Sequence, residues 1–489
     1  MTHFAQACGV HDAPRAAACE AALRKLHELG LERVRIGWCD MHGVLRGKTL
    51  MPGAAAHALM DGVSMVSTIL LKDTSDRTAY KVFEPGALDE LPGFGQANNL
   101  MLLPDPASLI TLPWASSTAW LRGDAWFSDA TPLSVDPRRV LQTALAALAE
   151  AGYGLRCGLE VEFHIYRIEA EANDPQRADW PGEPPGLSLL HPGYNLLTES
   201  HADMADPALR IVQSTAQGLG LPLRSLEIEL GPSQVEAVFD PTDALTAADQ
   251  MVLFRNGVRQ ALRRAGYYAS FVCRPPFPNV MASGWHLHQS MTRLTDGANA
   301  FMRAAPAPGT TPGDAQHTLS ALGAQWLAGL LAHARGAAIF GTPTINGFGR
   351  FMQNAMAPQS VLWGRDNRGA MLRVLGGCTD AATRIENRIG EPLANPYLYI
   401  ASQIHCGLSG LRRQLDPGPA TETPYAQGTR LPTSLGEALE ALAGDAVLGE
   451  AFGSPLLSLY TRVKRSELER FEAAANKDEW LRREYFSRF

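Results

Sequence analysis

The sequence has no two cysteines at Cys-x-x-Cys spacing. Its seven cysteines are an odd number and stand apart at Cys8, Cys19, Cys39, Cys157, Cys273, Cys378 and Cys406. That pattern argues against a disulfide framework and a thiolate zinc knuckle, and for reduced thiols filling a core. No apolar run reaches the roughly 18 residues that cross a bilayer. The richest, residues 319–340, is interrupted by Gln325, His333 and Arg335 and reads as a buried helix. No basic-then-apolar segment opens the sequence, so a cytoplasmic protein is expected. Neither charge dominates: the formal net charge is −7 over 489 residues, with acids and bases interspersed, which argues against a nucleic-acid partner. There is no Gly-x-x-x-x-Gly-Lys-Ser/Thr loop and no dinucleotide fingerprint after a strand. A bound nucleotide would be held by other means. There is no internal repeat.

What is there is an ordinary globular composition, 46% hydrophobic and 19% charged, enough for two or three domains. Residues 14–30 read as a helix closed by Gly30, and 34–39 as a strand. Arg46-Gly47-Lys48 reads as a solvated loop; 66–71 and 100–103 read as strands, with the polar loop Lys72-Asp73-Thr74-Ser75-Asp76 between them. Residues 1–112 thus form an expected N-terminal domain, divided at Pro113-Trp114 from 113–489. Beyond it, Asp136-Pro137 starts a helix, another runs from about residue 207 to 218, and a third from 243 to 265. A helix from Asn395-Pro396 and a helical, charged tail over 435–489 follow. No chemistry is visible in the tail.

The informative stretches alternate. In Cys157–Tyr166, Leu159, Val161, Phe163 and Ile165 point one way while Glu160, Glu162 and His164 point the other, the period of a β-strand. For one such stretch an exposed acidic edge is the bland reading. The device recurs at Glu227-Ile228-Glu229, at Gln234-Val235-Glu236, at His286-Leu287-His288 and at Arg384-Ile385-Glu386-Asn387-Arg388. Polar faces of several strands are expected to line one cavity, as in a barrel. Glu160, Glu162, Glu229, Glu236 and Glu386 gathered there would repel one another unless divalent cations intervened. Carboxylates with an imidazole or two suit Mg²⁺ or Mn²⁺; a zinc pair at His286 and His288 is the weaker alternative. Arg350, Arg368, Arg373, Arg384 and Arg388 offer forks for phosphate or carboxylate oxygens. Metals and arginines around anions are the apparatus of phosphoryl transfer.

These residues resemble the glutamine synthetase superfamily, from about residue 34 to the end. Gly158-x-Glu160-x-Glu162-Phe163, Glu229-Leu-Gly-Pro-Ser-Gln234-Val-Glu236, Ser283-Gly284-Trp285-His286-Leu287-His288-Gln289-Ser290, Asn346 to Arg350, Asn367-Arg368 through Arg373, Arg384-Ile385-Glu386-Asn387-Arg388 and Asn395-Pro396-Tyr397-Leu398 follow the family's order. The resemblance implies an α+β protein with an N-terminal β-grasp domain and a catalytic domain built on a curved, antiparallel half-barrel sheet. It implies stacked rings, often dodecamers, with sites between subunits. Glu162, Glu229 and Glu236 would hold one metal, and Glu160, His286 and Glu386 another, among about two to three Mg²⁺ or Mn²⁺ ions. Arg350 and Arg388 would grip glutamate. Arg368, Arg373 and Arg384 would face the phosphates of ATP, with His288 and Ser290 near the nucleotide and Tyr194 in the substrate pocket. ATP would phosphorylate the γ-carboxylate and an amine would displace phosphate.

Departures from the family redirect the substrate reading. Ammonia-using members carry a glutamate in Glu-Ala-Pro where Met356-Ala357-Pro358 stands here. Methionine cannot bind ammonium as a cation, but it is apolar and adaptable. An Asn-Gly pair is replaced by Met281-Ala282. The Asp-Gly-Ser-Ser loop that helps deprotonate ammonium has a loose counterpart in Asp73-Thr74-Ser75, with Asp73 the candidate base and Asp76 its rival. The expected activity is therefore ATP-dependent γ-glutamyl ligation to an organic amine, apolar or aromatic on the strength of Met356 and Trp285. The alternatives are an ammonia-dependent glutamine synthetase and a catalytically silent ring-forming relative.

Overall fold

The computed structural model describes residues 2–489 except 96, 307, 308, 310–313 and 352–356, with every other side chain but that of residue 177. Two sheets organise it. The first holds β1 (Arg33–Cys39), β2 (Leu45–Leu50), β3 (Val63–Val66), β4 (Asn99–Pro104), β5 (Ile110–Leu112) and β6 (Ala115–Phe127), in the order β2-β1-β6-β4-β3 with β5 on β6. The division expected after residue 112 falls inside this sheet. Pro113-Trp114 turns β5 into β6, which pairs parallel with β1 and antiparallel with β4. Arg46-Gly47-Lys48 lies in edge strand β2, not in a loop, and Gly47 stands opposite Gly37. Of the run at 66–71, only Val66 is strand; Ser67–Leu71 is a 3₁₀ turn that buries Leu70 and Leu71. A short apolar run does not declare its own period.

The second sheet holds β7 (Tyr153–Ala170), β8 (Gly186–Leu189), β9 (Leu223–Ile228), β10 (Gln234–Asp243), β11 (Tyr267–Ser270), β12 (Trp285–Arg293), β13 (Trp363–Arg365), β14 (Leu372–Leu375) and β15 (Arg384–Asn387). Its order is β13-β14-β15-β12-β7-β10-β9, with β8 and β11 also on β7. The pairings are antiparallel except β13 with β14. The apolar face of β7 and β12 joins one core with helices Pro137–Glu150, Ala244–Arg264 and Pro396–Arg413. Phe163 stacks on Phe271 at 4.8 Å and meets Phe254 edge-on at 5.8 Å. Asp136 and Asn395 cap the first and last of these helices through their side chains, each followed by a proline at the first helical position.

Two helices differ from expectation. The helix expected to open at Pro207 begins at Glu199 and carries Pro207 inside; a buried face outweighs the one lost backbone donor. The run 319–340 is two helices, Ala321–Ala332 and Ala334–Gly341, broken at His333. The His333 ring bonds Asp445 and Ser409, at 2.8 and 2.9 Å. Among the described residues no helix is long and apolar enough to cross a membrane.

Candidate active site

Strand register assembles the site. Glu236 on β10 stands directly opposite Glu162 on β7. Glu160 stands opposite His286 on β12, and His288 opposite Glu386 on β15, which in turn faces Arg373 on β14. One polar row thus crosses five strands. Glu229 joins it from just past the end of β9, where its N–H bonds the Gln234 carbonyl at 3.0 Å. Ligand atoms of Glu162, Glu229 and Glu236 converge within 4.8 Å of one another, as do those of Glu160, Glu236 and His286, and of Glu160, His288 and Glu386. The first set is the one expected. In place of the expected Glu160–His286–Glu386 set, Glu160 belongs to two overlapping groups, one with His286 and one with His288. His286 Nδ1 still lies 3.4 Å from Glu160 and 3.7 Å from Glu386.

Facing carboxylates on adjacent strands destabilise a sheet. Burial first, and then neighbouring glutamates, push the carboxyls of Glu162 and Glu236 well above the ordinary 4.5; Glu229 is raised chiefly by burial. These acids must hold protons or share a cation, so the donor set fits a divalent ion. Glu160 goes the other way: burial would raise it, but bonds from His286 and His288 outweigh that and hold it low. Burial, then Arg388, lowers His286 to about 4, leaving a neutral imidazole fit to ligate. Oxygen-rich sets with neutral imidazole suit Mg²⁺ or Mn²⁺. Gly284 N–H and Gln234 Nε2 bond Glu162 at 2.7 and 3.3 Å and orient it. Gln234 lay within a matched motif, yet only its contacts reveal this role.

The arginines divide. Arg388 bonds Glu386, and Arg373 reaches the other oxygen of Glu386 at 3.1 Å. Arg350 is buried, with Nη1 donating to the carbonyls of Arg388 and Gly390 at 3.0 and 2.8 Å. A Cβ on Gly284 would come within 2.3 Å of its Nη2, so Gly284 is what lets the guanidinium approach β12. Arg384 donates to His288 Nδ1 at 3.0 Å. Arg384, His288, Ser290 and Glu160 line one cavity of about 760 Å³. Arg368 lines a different cleft with Asp366, Glu422 and Tyr425.

The substrate-end residues are corrected most. Trp285 is fully buried on the apolar face of β12, edge-on to Tyr399 at 5.2 Å, so it does not line a pocket with His286. Met356 lies outside the described residues. Asp73 is fully buried: it accepts from the N–H groups of Ser75 and Arg77 and from Arg470 at 2.9 Å, which makes it a loop-holding acid. Its rival Asp76 is 38% exposed at the side chain and pairs with Arg46 and Lys72. The Ala282 carbonyl takes Gln234 Nε2 at 3.2 Å, and Met281 packs where a Cβ on Gly231 would be. Tyr194 is exposed; its N–H bonds the Leu230 carbonyl at 2.6 Å, beside Glu229. Leu196, Leu197 and Leu230 are exposed on the same segments. Neighbouring exposed leucines at the rim of an acid cluster are a signal that the spacing of charged residues does not carry.

The sequence model of the glutamine synthetase catalytic domain matches residues 134–483. The chain belongs to the glutamine synthetase family. Among curated proteins, the γ-glutamylanilide synthase of an Acinetobacter species is 36% identical over 488 residues, covering 96% of each chain. The γ-glutamylethanolamide synthetase GlnA4 of Streptomyces coelicolor is 29% identical, covering 95% of this chain and 96% of its own. Among solved structures, a GmaS complex with ADP aligns with TM-score 0.74 at 27% identity, covering 94% of this chain and 98% of that one. The second sheet is therefore the curled half-barrel of glutamine synthetase folds, and the α+β class expected from the motifs holds.

Proposed function

We propose that this glutamine synthetase relative is an ATP-dependent ligase that joins the γ-carboxylate of glutamate to an organic amine. The observation that carries the reading is the polar row itself. Carboxylates and imidazoles form three overlapping ligand sets between the 760 Å³ cavity on one side and buried Arg350 and Arg388 on the other. That is a cation centre between two anion sites. Mg²⁺ or Mn²⁺ held by Glu160, Glu162, Glu229, Glu236, His286 and Glu386 would supply positive charge where phosphoryl oxygens meet a carboxylate. His288, Ser290 and Arg384 hold the nucleotide, with Arg373 at its phosphates; Arg368, in its separate cleft, is left out of this set. Arg350 and Arg388 hold the acid, their forks matched to carboxylate oxygens. A carboxylate is a poor acyl donor; phosphorylation gives it a leaving group, and fixed guanidinium groups offset the charge that builds.

The amine is apolar or aromatic. This part rests on the exposed Tyr194, Leu196, Leu197 and Leu230 beside Glu229, and the relative named for γ-glutamylanilide at 36% identity agrees with it. The functional assembly is a ring, a dodecamer with sites shared between subunits, which light scattering of the native protein tests. The ligase reading is tested by ADP release with glutamate, Mg²⁺ and a panel of ammonia, ethanolamine, alkylamines and aniline. Organic amines should give the highest kcat/KM. Ammonia as the best acceptor, with the organic amines inert, overturns the reading.

A further inference from the structure

The tail reads from its sequence as inert charged helix, yet it buries charge. Lys464, Glu467 and Glu484 are all at most 2% exposed, with Tyr485 at 0%. Buried charges cost several kcal/mol each unless paired, so their partners show what the segment does. They lie around one π-helical turn, Arg482–Phe486, a form that recurs at functional sites.

Three successive residues of this turn engage three different loops. Glu484 accepts from Thr74 and Ser75, and from both terminal nitrogens of Arg470, at 2.6 and 3.0 Å; Arg470 in turn holds Asp73. The Tyr485 hydroxyl donates to Glu467, which Lys464 neutralises at 2.9 Å, and accepts the Ile345 N–H at 3.1 Å. Ile345 opens the segment that ends in Arg350, and the preceding Thr344 is pinned to buried Glu391 by two bonds of 2.8 Å. Phe486 packs edge-on against Phe277 at 5.3 Å, on the loop that runs to Met281 and Ala282. The second and third loops are also tied to each other: Arg274 and Asn346 exchange bonds of 2.7 and 2.9 Å.

We infer that Glu484-Tyr485-Phe486 is a positioning clamp for the substrate end of the site. It sets the loop of residues 73–77, the Thr344–Arg350 segment and the loop of residues 274–282 relative to one another. The clamp touches no reacting atom; it acts through Arg350 and through the Ala282 carbonyl, which shares Gln234 Nε2 with Glu162. This inference rests on the ligase reading for the role of Arg350. Its alternative is a tail that only stabilises the fold.

The two separate by kinetics and by amide exchange. Tyr485→Phe keeps the ring and removes the hydroxyl; Glu484→Gln keeps the shape and removes the charge. A clamp predicts a glutamate KM raised about tenfold in Tyr485→Phe, measured well below its melting transition and with a fall in melting temperature no larger than the loss of one buried hydrogen-bonding group explains, because small displacements of a binding group cost binding before folding. It also predicts faster amide exchange over 344–350 in Tyr485→Phe and over 73–77 in Glu484→Gln, each spreading to the other loop. Lower melting temperatures with KM values within twofold of wild type, or exchange that rises only at the mutated contact, overturn it. Should Glu484→Gln fail to fold, Tyr485→Phe and Phe486→Leu give the same readout. Exchange is measured on protein without substrates, so it decides the clamp even if wild type releases no ADP with any amine, a result that would fail the ligase reading instead.

Discussion

β7 and β12 each run two careers on one backbone. Leu159, Val161, Phe163, Trp285 and Leu287 are at most 2% exposed and meet helices. Glu160, Glu162, His286 and His288, each one residue away, face the opposite side and converge on ligand sets. Composition does not separate the two roles; parity does. Trp285 stands between Gly284, whose N–H orients Glu162, and His286, whose ring converges with Glu160 and Glu236, yet it belongs to the core. Side-chain period in a strand is two, so nearness in sequence to a functional residue counts for less than an even separation from it.

The strongest test of that contrast removes one member of each face. Glu236→Ala, on the polar side, should cost ~10³-fold or more in kcat/KM, about 4 kcal/mol at 1.36 kcal/mol per decade. It should also leave the metal-free protein no less stable, since one of three crowded carboxylates is gone. Unaltered kcat/KM would break the assignment of the row. Trp285→Ala, on the apolar side, should instead cost roughly 3–5 kcal/mol in chemical denaturation by opening a cavity. The ratio of kcat/KM between aniline and ethanolamine should stay at its wild-type value. A changed ratio in a folded Trp285→Phe protein would put the ring in the acceptor pocket after all.

The same contrast explains what could be read from the chain alone. Alternation made Glu160, Glu162, His286, His288 and Glu386 visible as one face, and cross-strand register then put them together. The helices capped by Asp136 and Asn395 were visible because caps are local chemistry. Three things were not local. β6 closes the first sheet across the turn that looked like a boundary, because a long strand can pair on both edges with partners far away in the chain. Asp73 is a candidate base only through its loop's likeness to the family's Asp-Gly-Ser-Ser, and the partner that holds it, Arg470, is 397 residues away. Tyr485 and Ile345 are 140 apart. Long-range bonds between single polar residues leave no period and no spacing.

A pH series sharpens the polar half of the comparison. The carboxyls of Glu162, Glu229 and Glu236 are raised above 4.5 in the folded chain. Such groups contribute stability that is complete below the unfolded value and is lost as pH rises through the folded one. Metal-free protein should therefore melt at progressively lower temperature between about pH 5 and pH 8. Glu160 is lowered, so its contribution is present above 4.5 and fades only in acid, outside that window. Mg²⁺ or Mn²⁺ at about a hundred times its Kd should restore about 2.7 kcal/mol. With the ion concentration held at the value that is about a hundred times the Kd at pH 8, the rise should be smaller at pH 6, because the ligands must shed protons to bind. A lift in melting temperature independent of pH would mean the ion sits elsewhere.

The smallest effect should come from the rim. Leu230 is 36% exposed, so an acceptor could bury only part of it, and Leu230→Ala should cost about 1 kcal/mol, roughly fivefold in kcat/KM. The size matters less than its distribution across acceptors. An apolar wall acts on the body of the amine, so aniline should lose the full factor, ethanolamine less, and ammonia nothing. Leu197→Ala should follow the same order if both leucines face one pocket. Equal losses for all three acceptors, or a shift in assembly size on light scattering, would make this edge a contact between subunits. The choice of amine would then have to come from residues that neither the row of acids nor its apolar reverse contains.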